Sequence, residues 1–222
     1  MRGLDHSFIK TVTGGRGMPK EGKQKEEYVI RAPSYFGERE LGITYADDPA
    51  KLIGRTVTTS LYNLTDDPTK HYLLVKFKVV RVNGRYAETV FYGHEYGREY
   101  FRSLIRRGTT MVEYIRDVET RDGFRLRVYG VVFTQKRIRS GKMRDIRKIM
   151  DQVFVEAAER LNHDQFAIEM VLGKMGSDIF NRVKRILIPR HVGVYKSKVV
   201  KLPEWVYEGK MPEEQLQQAP AG

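Results

Sequence analysis

Residues 73–92 read LLVKFKVVRVNGRYAETVFY and decide which kind of fold this chain can adopt. Apolar side chains at positions 73, 75, 77 and 79 alternate with Lys76 and Lys78. This period of two is typical of a β-strand with one buried face. Asn83 and Gly84 then supply the pair that favours a tight left-handed hairpin turn. The segment therefore predicts two antiparallel strands, the second over residues 85–92.

The same period recurs on both sides of this hairpin. A second hairpin is predicted around an Arg-Asp-Gly turn at residues 121–123. Together with the first hairpin, about six strands are expected, the others lying over residues 28–31, 52–61, 111–119 and 124–133. Residues 191–202 resemble a final basic strand. Closing these strands into a barrel would remove exposed edges, so we expect a barrel-like, mostly antiparallel β domain.

Helical spacing follows the strands. Apolar residues recur every three or four positions from Ile146 to Leu161, while Arg144, Arg147 and Lys148 lie away from that face. Shorter helices are predicted over residues 164–172 and 177–186. The fold class expected is α+β, a β domain with attached C-terminal helices and flexible termini.

Domain boundaries follow from composition. Residues 1–26 are rich in glycine and charge without a sustained apolar period, which predicts a flexible basic arm. Residues 27–202 form the single predicted domain. Residues 203–222 carry mostly acidic charges and predict a mobile tail.

The charge balance favours an anionic partner. Lys and Arg number 40 against 28 Asp and Glu, giving a net charge of +12, which steers diffusion toward acidic surfaces. No cysteine is present, which excludes disulfides and thiol nucleophiles. The N-terminus lacks the apolar core of a signal peptide and no apolar run is long enough to span a membrane, so we expect a cytoplasmic protein with no membrane partner.

Two basic segments are candidate RNA-binding surfaces. Residues 135–148 hold seven cations and one carboxylate where a strand leads into a helix. Residues 97–108 predict a helix with Tyr100, Phe101, Leu104 and Ile105 on its packed side and arginines elsewhere. Basic runs also occur on plain solvated helices, but two of them on one small domain favour structured RNA held through its phosphates. The candidate residues are Arg98, Arg102, Arg106, Arg107, Lys136, Arg137, Arg139, Lys142, Arg144, Arg147 and Lys148.

Other chemistry is less well supported. Residues 17–24 approach the phosphate-loop spacing, but Gln24 stands where a magnesium-binding hydroxyl belongs. His94-Glu95 begins like a zinc-protease helix, but Arg98 replaces the second histidine. A metal-dependent nuclease using Asp117, Glu119 and Asp122 remains an alternative, although acidic residues are common in turns. A free assembly or translation factor is a further alternative.

Short motifs spread over residues 28–202 carry a family resemblance. They are Ala32-Pro33, Phe36-Gly37-Glu38, Leu41-Gly42, Ala46-Asp47-Asp48-Pro49, Ile53-Gly54-Arg55, Ser60-Leu61-Tyr62-Asn63-Leu64-Thr65, Gly93-His94-Glu95, Arg102-Ser103-Leu104-Ile105-Arg106-Arg107, Asp117-Val118-Glu119-Thr120, Asp122-Gly123 and Ile146-Arg147-Lys148-Ile149-Met150. In this order they resemble the S3Ae (eS1) family of archaeal and eukaryotic small-subunit ribosomal proteins.

The resemblance implies a non-enzymatic component of the small subunit, from an archaeal source. It places the protein on the platform near the messenger RNA exit, in contact with rRNA, with neighbouring ribosomal proteins and with messenger RNA near the exit. It implies rRNA contact at Arg102, Arg106, Arg107, Arg147 and Lys148. No catalytic residue, cofactor or metal is expected. The acidic pair before Tyr28 and the glycine-rich arm depart from the family pattern.

Overall fold

A computed structural model describes residues 25–208, so most of the predicted arm and tail, and the glycine-rich stretch 17–24, lie outside the described residues. The strands in this range are β1 (Glu26–Arg31), β2 (Glu40–Ala46), β3 (Thr56–Ser60), β4 (Leu73–Asn83), β5 (Tyr86–Tyr96), β6 (Met111–Glu119), β7 (Arg125–Thr134) and β8 (Pro189–Lys201). The α-helices are α1 (Leu61–Thr65), α2 (Arg98–Leu104), α3 (Ser140–Arg160), α4 (His163–Leu172), α5 (Lys174–Val183) and α6 (Trp205–Glu208).

The strands form one mixed, mostly antiparallel sheet of eight strands. The hairpin predicted from residues 73–92, formed by β4 and β5, lies at the centre of the sheet. One edge of β5 pairs with β4, and its other edge pairs with β1 near the start and with β8 near the end. The β1–β5 contact is the parallel one. β8 continues to β7 and then β6, so the last strand within residues 25–208 joins the two halves of the sheet.

The core lies between the sheet and the helices. α3 carries Ile146, Met150 and Phe154 fully buried against the sheet. Each such side chain stabilises the fold by roughly 1.5–3 kcal/mol through burial, which fixes the face that α3 turns inward. Its charged residues are thereby left on the outer side.

β7 passes under α3 at Gly130. A Cβ at this position would lie 2.7 Å from the Phe154 ring carbon Cζ and 3.2 Å from the Met150 sulfur. Real Cβ atoms do not approach ring carbons this closely, so only glycine allows the observed distance between strand and helix. The residue therefore sets how tightly α3 packs.

The predicted fold class is confirmed, with two differences. All predicted strands are present, and the structure adds β2, which was not predicted. The alternation of Leu41, Ile43 and Tyr45 is the sequence pattern that could have predicted a strand there. Ile43 and Tyr45 are each 58% exposed, so this alternation does not mark a core-facing strand. Within residues 25–208 the sheet is also open instead of closing into a barrel, because α3, α4 and α5 supply the second layer that buries its apolar face.

Candidate nucleic-acid interface

The two basic segments meet at one end of the sheet. Met111, which opens β6, pairs with Phe133 near the end of β7, so the loop before β6 and the loop after β7 run side by side. The amide of Thr110 donates to the Thr134 hydroxyl at 2.9 Å, and the Thr134 amide donates to the Thr110 carbonyl at 3.0 Å. The Ile138 amide donates to the Thr110 hydroxyl at 3.2 Å. These bonds hold loop 105–110 against loop 135–139.

The basic end of the sheet, which we define as loops 105–110 and 135–139 with the start of β8, thus gathers cations from three parts of the chain. Arg106 and Arg107 lie in the first loop, and both are exposed. The second loop carries Lys136, Arg137 and Arg139 on exposed positions. Clustered guanidinium and ammonium groups of this kind bind phosphate oxygens.

Arg190 joins this cluster and was not among the predicted residues. Pro189, its neighbour, pairs with Thr134 at the start of β8. The Arg190 guanidinium donates to the Leu104 carbonyl and lies 5.8 Å from the centre of the Phe133 ring. The signal available from sequence was the basic character of the final strand, but only the pairing with β7 shows which end of the sheet it reaches.

A stripe of cations continues along α3. Arg144, Arg147 and Lys148 are spaced by three and four residues and are exposed, as is Lys142 in the first turn. The Arg147 Nε donates to the Glu113 carbonyl on β6 at 3.1 Å, which holds this guanidinium beside the edge strand. The first turn of α3 has no acidic residue, so the positive end of the helix dipole adds to the same field.

α2 differs from its prediction at its end. Tyr100 packs inward and is stacked on Tyr72, with ring centres 3.7 Å apart. Phe101 packs edge-on against Phe133, with ring centres 6.0 Å apart. The helix ends at Leu104, however, and Ile105 has extended backbone angles and is 54% exposed instead of packed. Arg106 and Arg107 therefore belong to the loop and not to the helix, whereas Arg98 and Arg102 are exposed on α2 itself.

The eleven predicted residues share one electrostatic property. Ion pairs are plentiful in the described residues, and their cations are Arg39, Lys51, Lys70, Lys76, Arg116, Arg127, Arg160, Lys174, Arg182 and Lys196. None of the eleven predicted cations forms an ion pair with a carboxylate within residues 25–208. Their charges are thus available to an external anion.

The carboxylates of the nuclease alternative do not converge. Asp117 is bound by Arg127, with Nε 2.6 Å from Oδ1 and Nη2 2.9 Å from Oδ2. Asp122 is buried and accepts a hydrogen bond from the His163 amide at 2.9 Å. Across the part of the chain that the structure describes, no group of three His, Asp or Glu residues is arranged to hold a metal ion.

His94 is a core residue. Its Nε2 donates to the Val194 carbonyl at 2.9 Å and its Nδ1 lies 2.7 Å from the Ser197 hydroxyl, which serves as the donor. Both ring nitrogens are therefore satisfied inside the sheet.

For residues 25–208, none of the helices combines the length and apolar character needed to cross a bilayer.

Comparison with known proteins gives the same family throughout. The model of the Ribosomal S3Ae family matches residues 18–203. Small ribosomal subunit protein eS1 of Archaeoglobus fulgidus is 45% identical over 181 residues, which cover 81% of this chain and 86% of that protein. The proteins of the same name from Staphylothermus marinus and Sulfolobus acidocaldarius are 41% and 39% identical, over 82% of this chain and 85% and 93% of their own lengths. None of these relatives bears the name of an enzyme, and this chain belongs to the Ribosomal S3Ae family.

Proposed function

We propose that this chain is a structural, non-enzymatic constituent of the small ribosomal subunit that binds rRNA through Lys and Arg contacts to phosphates. Its similarity to proteins named as small-subunit components supports the assignment. Its place is the platform near the messenger RNA exit, where neighbouring ribosomal proteins and messenger RNA are further partners. The protein is ribosome-bound in the cytoplasm.

The observation that carries the rRNA contact is the convergence of unpaired cations. Loops 105–110 and 135–139 are tied together by the bonds of Thr110 and Thr134, and Arg190 reaches the same end of the sheet. These cations repel one another, because no internal carboxylate neutralises them, and the repulsion raises the free energy of the folded protein. An external polyanion such as RNA removes this repulsion. Phosphate binding releases counterions and gives affinity without base-specific readout.

The first test measures how salt affects binding to small-subunit rRNA. Changing Arg106 and Arg107 to Gln should weaken binding and lower the slope of log affinity against log salt by about 0.7–0.9 for each phosphate that is no longer neutralised. Arg147 is unsuitable for this purpose because its Nε also holds β6.

The matched control changes Lys51 and Lys174 to Gln, which removes the same charge from residues paired with Asp47 and Glu169. This control should leave the slope unchanged. If the slope falls equally in both double variants, the salt dependence of RNA binding reflects only the net charge of the protein. That result would contradict the proposed surface.

A second test separates a constituent of the subunit from a free factor. After a high-salt wash, sucrose-gradient fractionation should leave the protein with the small subunit, because a built-in component is held by many contacts. Release into the top fractions would support an assembly or translation factor instead.

A further inference from the structure

An open cleft of about 510 Å³ lies between α2 and the face of the sheet turned away from α3. This volume falls within the range of about 300–1,000 Å³ typical of small-ligand sites. The cleft is bordered by α2, the end of β5 and the middle of β8. It is separate from the loops that form the basic end of the sheet, although α2 leads directly into the first of them.

Two aromatic rings form one wall of the cleft. Phe101 and Tyr195 have ring centres 4.8 Å apart, inclined by 35°, and both are partly buried. Phe101 is supported from behind by Phe133, and the Tyr195 hydroxyl donates to the Glu113 carboxylate. Both rings are thereby held in position while part of each stays open to the cleft.

Charged groups surround this aromatic wall. Arg98 and Arg102 are exposed on α2 and form no ion pair with a carboxylate within residues 25–208. Lys196 lies on β8 and shares Glu95 with Lys76, with distances of 3.6 Å and 2.8 Å from nitrogen to oxygen. The hydrogen bond from Lys76 lowers the pKa of Glu95, so the carboxylate is ionised and its charge is offset by the two lysines. Glu99 also lines the cleft on α2, so each side of the cleft combines two cations with one carboxylate and both sides are net positive.

We propose that this cleft binds one unpaired nucleotide of RNA, with its base against Phe101 and Tyr195 and its phosphate at Arg98 and Arg102. Splayed bases bind by stacking on aromatic side chains beside arginines, and this cleft combines both groups. An acidic peptide would use the arginines but leave the aromatic faces without a partner. The inference rests on the proposed function, because a strand bound at Arg106 and Arg107 would bring a neighbouring nucleotide to α2.

The test compares two short single-stranded RNAs of equal length, one intact and one abasic at every position. The full chain should bind the intact strand more tightly, since only that strand can stack. Phe101→Leu removes the aromatic face and should reduce affinity for the intact strand by about tenfold, with little change for the abasic strand. Changing Arg106 and Arg107 to Gln should weaken both strands equally.

A 2-aminopurine base in the intact strand provides a readout that does not depend on any variant. Its fluorescence should be quenched on binding to the unmodified protein, because stacking quenches this base. Equal affinity for intact and abasic strands, or no quenching, would overturn the cleft proposal while leaving the phosphate surface in place. Failure of both strands to bind at low salt would instead contradict the proposed function and the cleft together.

Discussion

His94 and His163 are two titratable side chains that the fold keeps neutral. Burial lowers the pKa of each to about 4. His163 is stacked on Phe124 with ring centres 3.9 Å apart, and its Nε2 donates to the Phe91 carbonyl at 3.1 Å. Its Nδ1 has no hydrogen-bond partner among the described residues, so a proton there would be buried without compensation.

Acid should therefore destabilise the protein through these histidines. The unfolded chain binds these protons near pH 6.5, whereas the folded chain does so only near pH 4. The free energy of unfolding must then fall as pH falls from 6.5 toward 4. Lowering pH from 7.5 to 5 should cost about 2 kcal/mol for each histidine. Urea denaturation at the two pH values measures the change, and a flat profile would contradict it.

Asp164 acts in the opposite direction and makes the test more specific. Burial, with a smaller effect from the charge of Asp122, raises the pKa of Asp164 to about 6. Its protonation below pH 6 favours the folded state by about 1 kcal/mol at pH 5. Asp164→Asn should consequently increase the loss of stability between pH 7.5 and 5, whereas Asp145→Asn, at an exposed position, should not.

At the scale of elements, Gly130 controls the contact between β7 and α3. Gly130→Ala should push the Phe154 ring away from the strand and lower the free energy of unfolding by about 1–3 kcal/mol through overpacking. Thermal or urea unfolding measures the loss. Gly141→Ala is the control, because a Cβ there meets no atom within 4 Å, and an equal loss in both variants would contradict the steric explanation.

The Thr110–Thr134 contact is the element-scale feature that holds the basic loops together. The Thr134 hydroxyl accepts from the Thr110 amide and lies 2.6 Å from the Lys136 carbonyl, to which it donates. Thr134→Val removes the side-chain partner of the Thr110 amide and of the Lys136 carbonyl, two partly buried hydrogen bonds, and should cost about 1–3 kcal/mol. Thr58→Val, at an exposed position of β3, is the matched control.

Hydrogen exchange then tests the role of this contact directly. In Thr134→Val, amide exchange should accelerate in residues 135–139 more than in the strands, because the loop is no longer attached. RNA affinity should fall with it, since the cations would no longer be held in one arrangement. A uniform acceleration across the sheet would indicate general destabilisation and would count against a specific role for the contact.

At the scale of the whole molecule, the sequence predicts local structure better than assembly. Alternation identified the strands of both hairpins because one face of each is buried, as at Val75 and Phe77. It missed β2, where Ile43 and Tyr45 are exposed. It also could not show that β8 lies between β5 and β7, because pairing between distant strands leaves no mark on local periodicity.

For the candidate site too, the sequence predicted local features but not how distant segments come together. The basic runs were visible as composition, and α3 separated its cations from its core as predicted. The approach of loops 105–110 and 135–139 depends on the β6–β7 register, and the contribution of Arg190 depends on β8 joining the same end. The aromatic cleft depends on Phe101 meeting Tyr195 from a strand 94 positions later in the numbering, which no spacing rule detects.

The central position of β8 has a consequence for synthesis of the chain. Strands β1 to β7 are synthesised first, but β5 and β7 do not pair with each other in the described sheet. Each of them pairs with β8, so both lack this neighbour until residues 189–201 have been synthesised. A nascent chain that stops before this segment presents two incomplete half-sheets with unpaired backbone groups, which are prone to aggregate. Emergence of residues 189–201 from the translating ribosome is thus the step after which this sheet can be completed.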